Sequence, residues 1–236
     1  MPKDSNAATQ WLRTAAEEGN THAQFQLGLK YLDGEGVGKD AKEGVKWLRK
    51  SAEKGDKSSA ALLGLIYFEG DRVQKDKTEA VKWSKEAAER GAAAAQVTLG
   101  LIYASGEGLP PDRAEAIKWF RRAAEKNDAY GQFHLGDVYE HGKGAPRNYT
   151  EAMHWYSKAA AQGHADAQLF LGLMYRNGRG VPADLIQGYV WISIASAAGI
   201  EAAKVSLSEI EGKMSSKQIA EAQLLAKEQF EKLPKK

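Results

Sequence analysis

Trp11, Trp47, Trp83, Trp119, Trp155 and Trp191 are separated by 36 residues at every step. A chain that returns to its largest side chain at a fixed interval is repeating one structural unit, and this constrains the fold more than length does. The same step carries a Leu-Gly pair: Leu27-Gly28, Leu63-Gly64, Leu99-Gly100, Leu135-Gly136 and Leu171-Gly172. It also carries Tyr31, Tyr67, Tyr103, Tyr139 and Tyr175, each followed three residues later by Gly34, Gly70, Gly106, Gly142 or Gly178. Five consecutive 36-residue units run without insertion or deletion from about residue 20 to residue 199.

Each unit reads as two helices. Helix A spans roughly 21–33, with Ala23, Leu27, Gly28 and Tyr31 on one stripe at helical spacing. Gly34 stands where a left-handed cap would end it. Helix B opens at Asp40, with Glu43 three residues on. The pair recurs as Asp76/Glu79, Asp112/Glu115, Asn148/Glu151 and Asp184/Gln187, a spacing that predicts a capping box. Helix B buries Gly44, Trp47, Leu48 and Ala52 and ends at Gly55. The counterparts of Gly55 are Gly19, Gly91, Asn127, Gly163 and Gly199, and asparagine is the other residue that tolerates positive φ. Small residues recur in helix A (Ala23, Ser59, Ala95, Gly131, Ala167) and late in helix B, so neighbouring helices can approach closely. One helix pair cannot bury its apolar face alone, so the units must stack. The expectation is an all-α solenoid of about 12 or 13 helices with no strands.

The pattern A-x-x-x-L-G-x-x-Y-x-x-G-x-G-V, then D, A-x-x-W and A-A-x-x-G resembles the Sel1-like repeat, a bacterial-type relative of the tetratricopeptide repeat. It is carried here by Ala23, Leu27, Gly28, Tyr31, Gly34, Gly36 and Val37, continuing to Asp40, Trp47 and Gly55. Arg72 replaces the second loop glycine, and Ala145 replaces the loop valine. The resemblance covers about residues 4–199 and implies a right-handed α-α superhelix with the A helices lining its concave side. It also implies an adaptor that binds other proteins in bacterial signalling, envelope assembly, or host and competitor contact.

The ends depart from the repeat. Asp4 stands 36 residues before Asp40, so residues 4–19 read as a helix B capped at Asp4 with no helix A before it. Either the solenoid starts with a half unit, or the sequence continues upstream and hides a leader or further repeats. The six residues that open it lack the apolar core of a signal peptide, so it reads as cytoplasmic as it stands, and as periplasmic or secreted if a leader was removed. The expected organisation is a solenoid over 1–199, then a degenerate repeat and a capping helix over 200–236. In that stretch Ser208, Glu211 and Met214 replace Gly, Tyr and Gly. A last helix opening near Ser215 is expected to bury Ile219, Ala222, Leu225, Ala226 and Phe230. Val190 and Ile194 stand where the other B helices carry mostly charged residues, so this helix is the obvious cover for them.

Residues that recur in every unit explain stacking, and function belongs to the positions that vary. Aligning Leu-Gly-Tyr with the tetratricopeptide pattern directs residues 22, 25, 29, 32 and 33, and their equivalents, toward a groove. The resulting partner-binding set is Phe25, Leu29, Leu65, Phe68, Leu101, Tyr130, Asp137, Glu140, His141 and Arg176. One column reads Leu29, Leu65, Leu101, Asp137, Leu173. A single aspartate among leucines points to a polar or basic ligand group, with drift on a solvated face as the alternative.

Other chemistries find little support. Lys and Arg total 33 against 31 Asp and Glu, a net charge of +2, which gives no pull toward nucleic acid or membrane. No 18-residue apolar run spans a bilayer. His134, Asp137 and His141 share one helix face without a zinc-enzyme motif. No nucleophile motif, Walker loop or dinucleotide fingerprint is present, so neither catalysis nor a cofactor is expected. Cysteine-rich Sel1-like relatives described as binding or hydrolysing β-lactams carry a disulfide in each repeat, whereas this chain has no cysteine. The competing readings are that enzyme class and a self-assembling scaffold that associates through the N-terminal half unit. A monomer bound to a protein or peptide is the leading one.

Overall fold

The structure, a computed structural model, describes residues 3–234, with side chains from residue 8 onward. The described residues form thirteen helices and no strand, a helical-repeat solenoid. No helix among them is long and apolar enough to cross a membrane. The chain divides into two compact units, one ending at Trp119 and one beginning at Phe120.

The first unit holds α1 (Lys3–Glu17), α2 (Thr21–Asp33), α3 (Ala41–Glu53), α4 (Lys57–Glu69), α5 (Lys77–Glu89), α6 (Ala93–Ser105) and the start of α7 (Arg113–Glu125). Even-numbered helices are A and odd-numbered are B. Asn20 and Asp56 cap α2 and α4 by accepting from the amides of Ala23 and Ser59, and Gly34 ends α2 at φ 81°. Asp40 caps α3 by accepting from the Lys42 and Glu43 amides.

The expected reciprocal half of that capping box does not form. The Asp40 amide already donates to the Tyr31 carbonyl at 2.8 Å, and the Asp76 and Asp112 amides donate to Tyr67 and Tyr103 at 3.1 and 2.9 Å. Glu43 is left to pair with Lys46 at 3.1 Å, and Glu79 with Arg49 at 2.7 Å. The tyrosine carbonyl thus ties the end of helix A to the start of helix B and fixes the span of the loop between them.

Within each pair the two helices nearly touch. A Cβ added at Gly28 would lie 2.8 Å from the Leu48 side chain and 3.1 Å from the Gly44 carbonyl, and one at Gly64 would lie 2.9 Å from the Ser84 backbone nitrogen. Tryptophan fills the space toward the preceding pair: Trp47 clusters with Ala16, Ala23 and Leu27 of α1 and α2. Trp47 and Trp83 are consequently 6% and 1% exposed, whereas Trp11, with no such pair before it among the described residues, is 78% exposed. The helix also begins at Lys3, so Asp4 sits inside its first turn rather than before it. The Asp4 side chain lies outside the described residues.

The second unit holds the rest of α7, then α8 (Ala129–His141), α9 (Tyr149–Ala161), α10 (Ala165–Asn177), α11 (Leu185–Ala197), α12 (Glu201–Glu211) and α13 (Ser216–Lys232). Asn127 takes φ 63°, as its place in the glycine column requires. The close A–B approach recurs here, since a Cβ at Gly136 or Gly172 would lie 2.5 Å from the Tyr156 ring or 2.7 Å from Ile192. In α12 the equivalent residue is Ser208, which is exposed. The next helix, α13, packs on α11. There Leu225, Ala226 and Leu233 cover Val190 and Ile194, each 3% exposed. Ser215 and Gln218 form the one reciprocal capping box among the described residues. Ala222 and Ala226 are buried as expected, but Phe230 is 57% exposed. It lies a full turn beyond Ala226, at the rim of a groove of about 210 Å³ between α11 and α13.

Candidate interaction surface

Every A helix turns one stripe outward. In the first unit His22, Ser58 and Ala94 are exposed, as are Asp33, Glu69 and Ser105 one column further on. Leu29, Leu65 and Leu101 are half-buried on the same stripe. Phe25 is half-buried against the core that includes Leu32, Leu48 and Leu63. Phe68 is half-buried with the Lys75 ammonium 5.2 Å from its ring centre. Leu32, expected to face the groove, is 1% exposed. Residue 32 is about 100° around the helix from residue 33, which is enough to turn it into the core. Arg72, the departure from the loop glycine, bonds Asp33 at 3.0 Å and so links the loop after α4 to the end of α2.

The second unit gathers its variable residues around α8. Tyr130 is 63% exposed, with its ring edge-on to His164 at 4.7 Å. Asp137 is bonded by the Lys143 ammonium at 2.8 Å and approached by His141 Nδ1 at 2.9 Å. Glu140, expected on the binding face, is instead 5% exposed. Its carboxylate accepts from the Tyr156 hydroxyl at 3.1 Å and from Arg179 at 2.9 Å. A buried carboxylate needs such partners, and both of its oxygens are engaged inside the fold. Burial, with the Glu140 charge beside it, pushes the Tyr156 phenol well above its ordinary pKa. Arg176 reaches Glu209 of α12 at 2.9 Å, which ties it to the neighbouring helix. Among the described residues no three His, Cys, Asp or Glu side chains gather as a metal site would need.

Two recurrent polar contacts escaped the sequence reading. Gln24, Gln96, Gln132 and Gln168 donate from Nε2 to the carbonyls of Ala16, Ala88, Ala124 and Ala160, stitching helix A to the preceding helix B. Arg13, Arg49 and Arg121 donate to the hydroxyls of Tyr31, Tyr67 and Tyr139. Both signals were present as columns at the repeat spacing.

His134 stacks on Phe120 at 4.9 Å. Burial lowers its pKa to about 4 from 6.5, with Asp137 opposing and His164 and Lys143 adding to the fall. Between those values the unfolded chain binds a proton that the folded chain excludes. Stability is therefore full above about pH 6.5 and should fall by about 3 kcal/mol as the pH drops toward 4. Melting temperatures across this range should drop less in His134→Gln than in the parent. Equal slopes would show that this ring does not carry the acid sensitivity.

The Sel1 repeat family matches six times, over residues 1–20, 21–56, 57–91, 93–128, 129–164 and 165–200. A protective antigen of uropathogenic Escherichia coli with this repeat fold, c5321, is 35% identical with a TM-score of 0.89, over 95% of this chain and 48% of its own. A Sel1 repeat protein from Oxalobacter formigenes is 34% identical with a TM-score of 0.78, over 87% of this chain and 59% of its own. This chain thus spans about half of one of these relatives and under two thirds of the other. A Sel1 repeat protein from Klebsiella pneumoniae shares the fold at 20% identity and a TM-score of 0.59, over 86% of this chain and 99% of its own. No curated protein matches. With consecutive repeats matched from residue 1 to residue 200, the chain belongs to the Sel1 repeat family.

Proposed function

We propose that this chain is a protein-interaction module that binds a protein or peptide through the outward stripe of its A helices, the face expected to be concave. In the first unit the contacts are Leu29, Leu65 and Leu101, with Phe25 and Phe68 at the edges. In the second unit they are Tyr130, Asp137 and His141. The observation that carries this reading is Asp137, the one break in a leucine column, held at the surface by Lys143 and His141. Sel1 repeats generally serve protein interaction, which favours binding over catalysis. Apolar area supplies affinity, while a polar cluster discriminates between partners. Glu140 and Arg176 support the face from within rather than touching the partner.

Asp137→Leu restores the column and should leave the fold intact. It should weaken a partner isolated by affinity capture by about 1–3 kcal/mol in titration calorimetry, because a charge-assisted hydrogen bond is lost. Unchanged affinity in both Asp137→Leu and Tyr130→Ala would place the site elsewhere.

A second reading, self-association through α1, is favoured by the exposure of Trp11, whose period-mates Trp47, Trp83, Trp119 and Trp155 are all buried. It requires sedimentation to show mass rising with concentration, and the rise to vanish in Trp11→Lys. A monomer at every concentration would leave the adaptor reading alone.

A further inference from the structure

Tyr130 and Asp166 occupy the same position one repeat apart, in the first turns of α8 and α10. Tyr130 is 63% exposed, yet its ring is held in place. It meets His164 edge-on at 4.7 Å, and His164 is stacked at 4.7 Å on Phe133. His164 in turn caps α10, its Nδ1 accepting the Ala167 amide at 3.3 Å. The residue against which Tyr130 rests is thus two positions before Asp166, so aromatic ring and carboxylate sit at the same end of α10. Asp166 is exposed. Asp33 and Asp137 on this stripe are paired with Arg72 and Lys143, while Glu69 in the first unit is exposed with no ion pair among the described residues. Asp166 has no ion pair and no side-chain hydrogen bond among the described residues, and the Tyr130 hydroxyl has no hydrogen bond. A second carboxylate, Asp128, lies two residues before Tyr130 and accepts the Gly131 amide at 2.8 Å.

We propose that Tyr130 and Asp166 form a subsite for a cationic side chain, arginine or lysine, of the bound partner. The phenol face attracts a cation through its quadrupole. The carboxylate supplies a charge-assisted hydrogen bond, bidentate for a guanidinium. The positive ends of the α8 and α10 dipoles oppose a cation here, and Asp128 and Asp166 offset them. The edge-on contact of Tyr130 with His164, itself stacked on Phe133, keeps the ring from having to be ordered on binding, which removes part of the entropic cost. This proposal rests on the outward A-helix stripe being the binding surface, and it adds what that surface recognises.

The test uses the full chain, ¹⁵N-labelled, titrated with N-acetyl-arginine methylamide and, in parallel, with the citrulline analogue, which keeps the shape and loses the charge. Arginine should give saturable shifts at the amides of residues 129–131 and 165–167. Affinity should fall about fivefold or more with citrulline, with Asp166→Asn and with Tyr130→Ala. Both substitutions are at exposed positions, and melting curves verify that the variants stay folded. No saturable shift at those amides, equal shifts with citrulline, or full affinity in Asp166→Asn would each overturn the subsite. If partner binding still responds to Asp137→Leu while this titration is flat, only the cation subsite fails. If partner binding ignores the stripe altogether, the broader reading fails, whatever arginine does.

Discussion

The fold depends on how closely helix A approaches helix B at the Leu-Gly step. With no Cβ at Gly28, Gly64, Gly136 or Gly172, the backbone of one helix rests on the side chains or backbone of its partner, with no room for another atom. That spacing lets Leu27, Leu63, Leu135 and Leu171 bury completely or almost so. It also brings each tyrosine carbonyl within reach of the next N-cap amide. The stacking tryptophans can fill the space toward the preceding pair only because each pair is this thin. Where the glycine is lost, at Ser208, the pattern stops and the following helix takes its place on α11.

Much of this was legible in the sequence because a repeat is its own internal control. The bounds of helix A, the left-handed glycines, the asparagine substitution at Asn127 and the cover over Val190 and Ile194 all follow from comparing columns. What failed were statements that needed a direction or a partner far along the chain. Positions 32 and 33 are neighbours in sequence but face core and solvent. Leu32 and Glu140 turn inward although Phe68 and Ala104 of the same column are half-buried and exposed, and both were misread as groove residues. Glu140 finds Arg179 a whole unit later, and nothing local announces it. Glu43 was assigned to a capping box that does not close, because the amide it would have needed is bonded to the Tyr31 carbonyl, a contact between elements.

The same logic separates scaffold from surface. The glutamine and arginine columns that bond carbonyls and tyrosine hydroxyls recur, and they hold the units together. Outside the leucine column the outward positions do not recur, and their variation from His22 to Tyr130 to Asp166 is where recognition can differ between proteins built on one framework. Asp137 and Tyr130 thus matter for a reason opposite to that of Trp83. They can change without disturbing the packing.

The most direct test of the account is the melting temperature of Gly64→Ala beside that of Gly212→Ala. Helix propensity alone favours alanine by about 1 kcal/mol at Gly64, inside α4. Gly212 has right-handed helical geometry, and its nearest neighbour to an added Cβ is 3.7 Å away, so that variant should melt at or slightly above the parent. At Gly64 the new methyl would lie 2.9 Å from the Ser84 backbone nitrogen. Overpacking of about 1–3 kcal/mol should outweigh the propensity gain and lower the melting temperature. A Gly64→Ala protein that melts at or above the parent would contradict the claim that close A–B approach sets the fold.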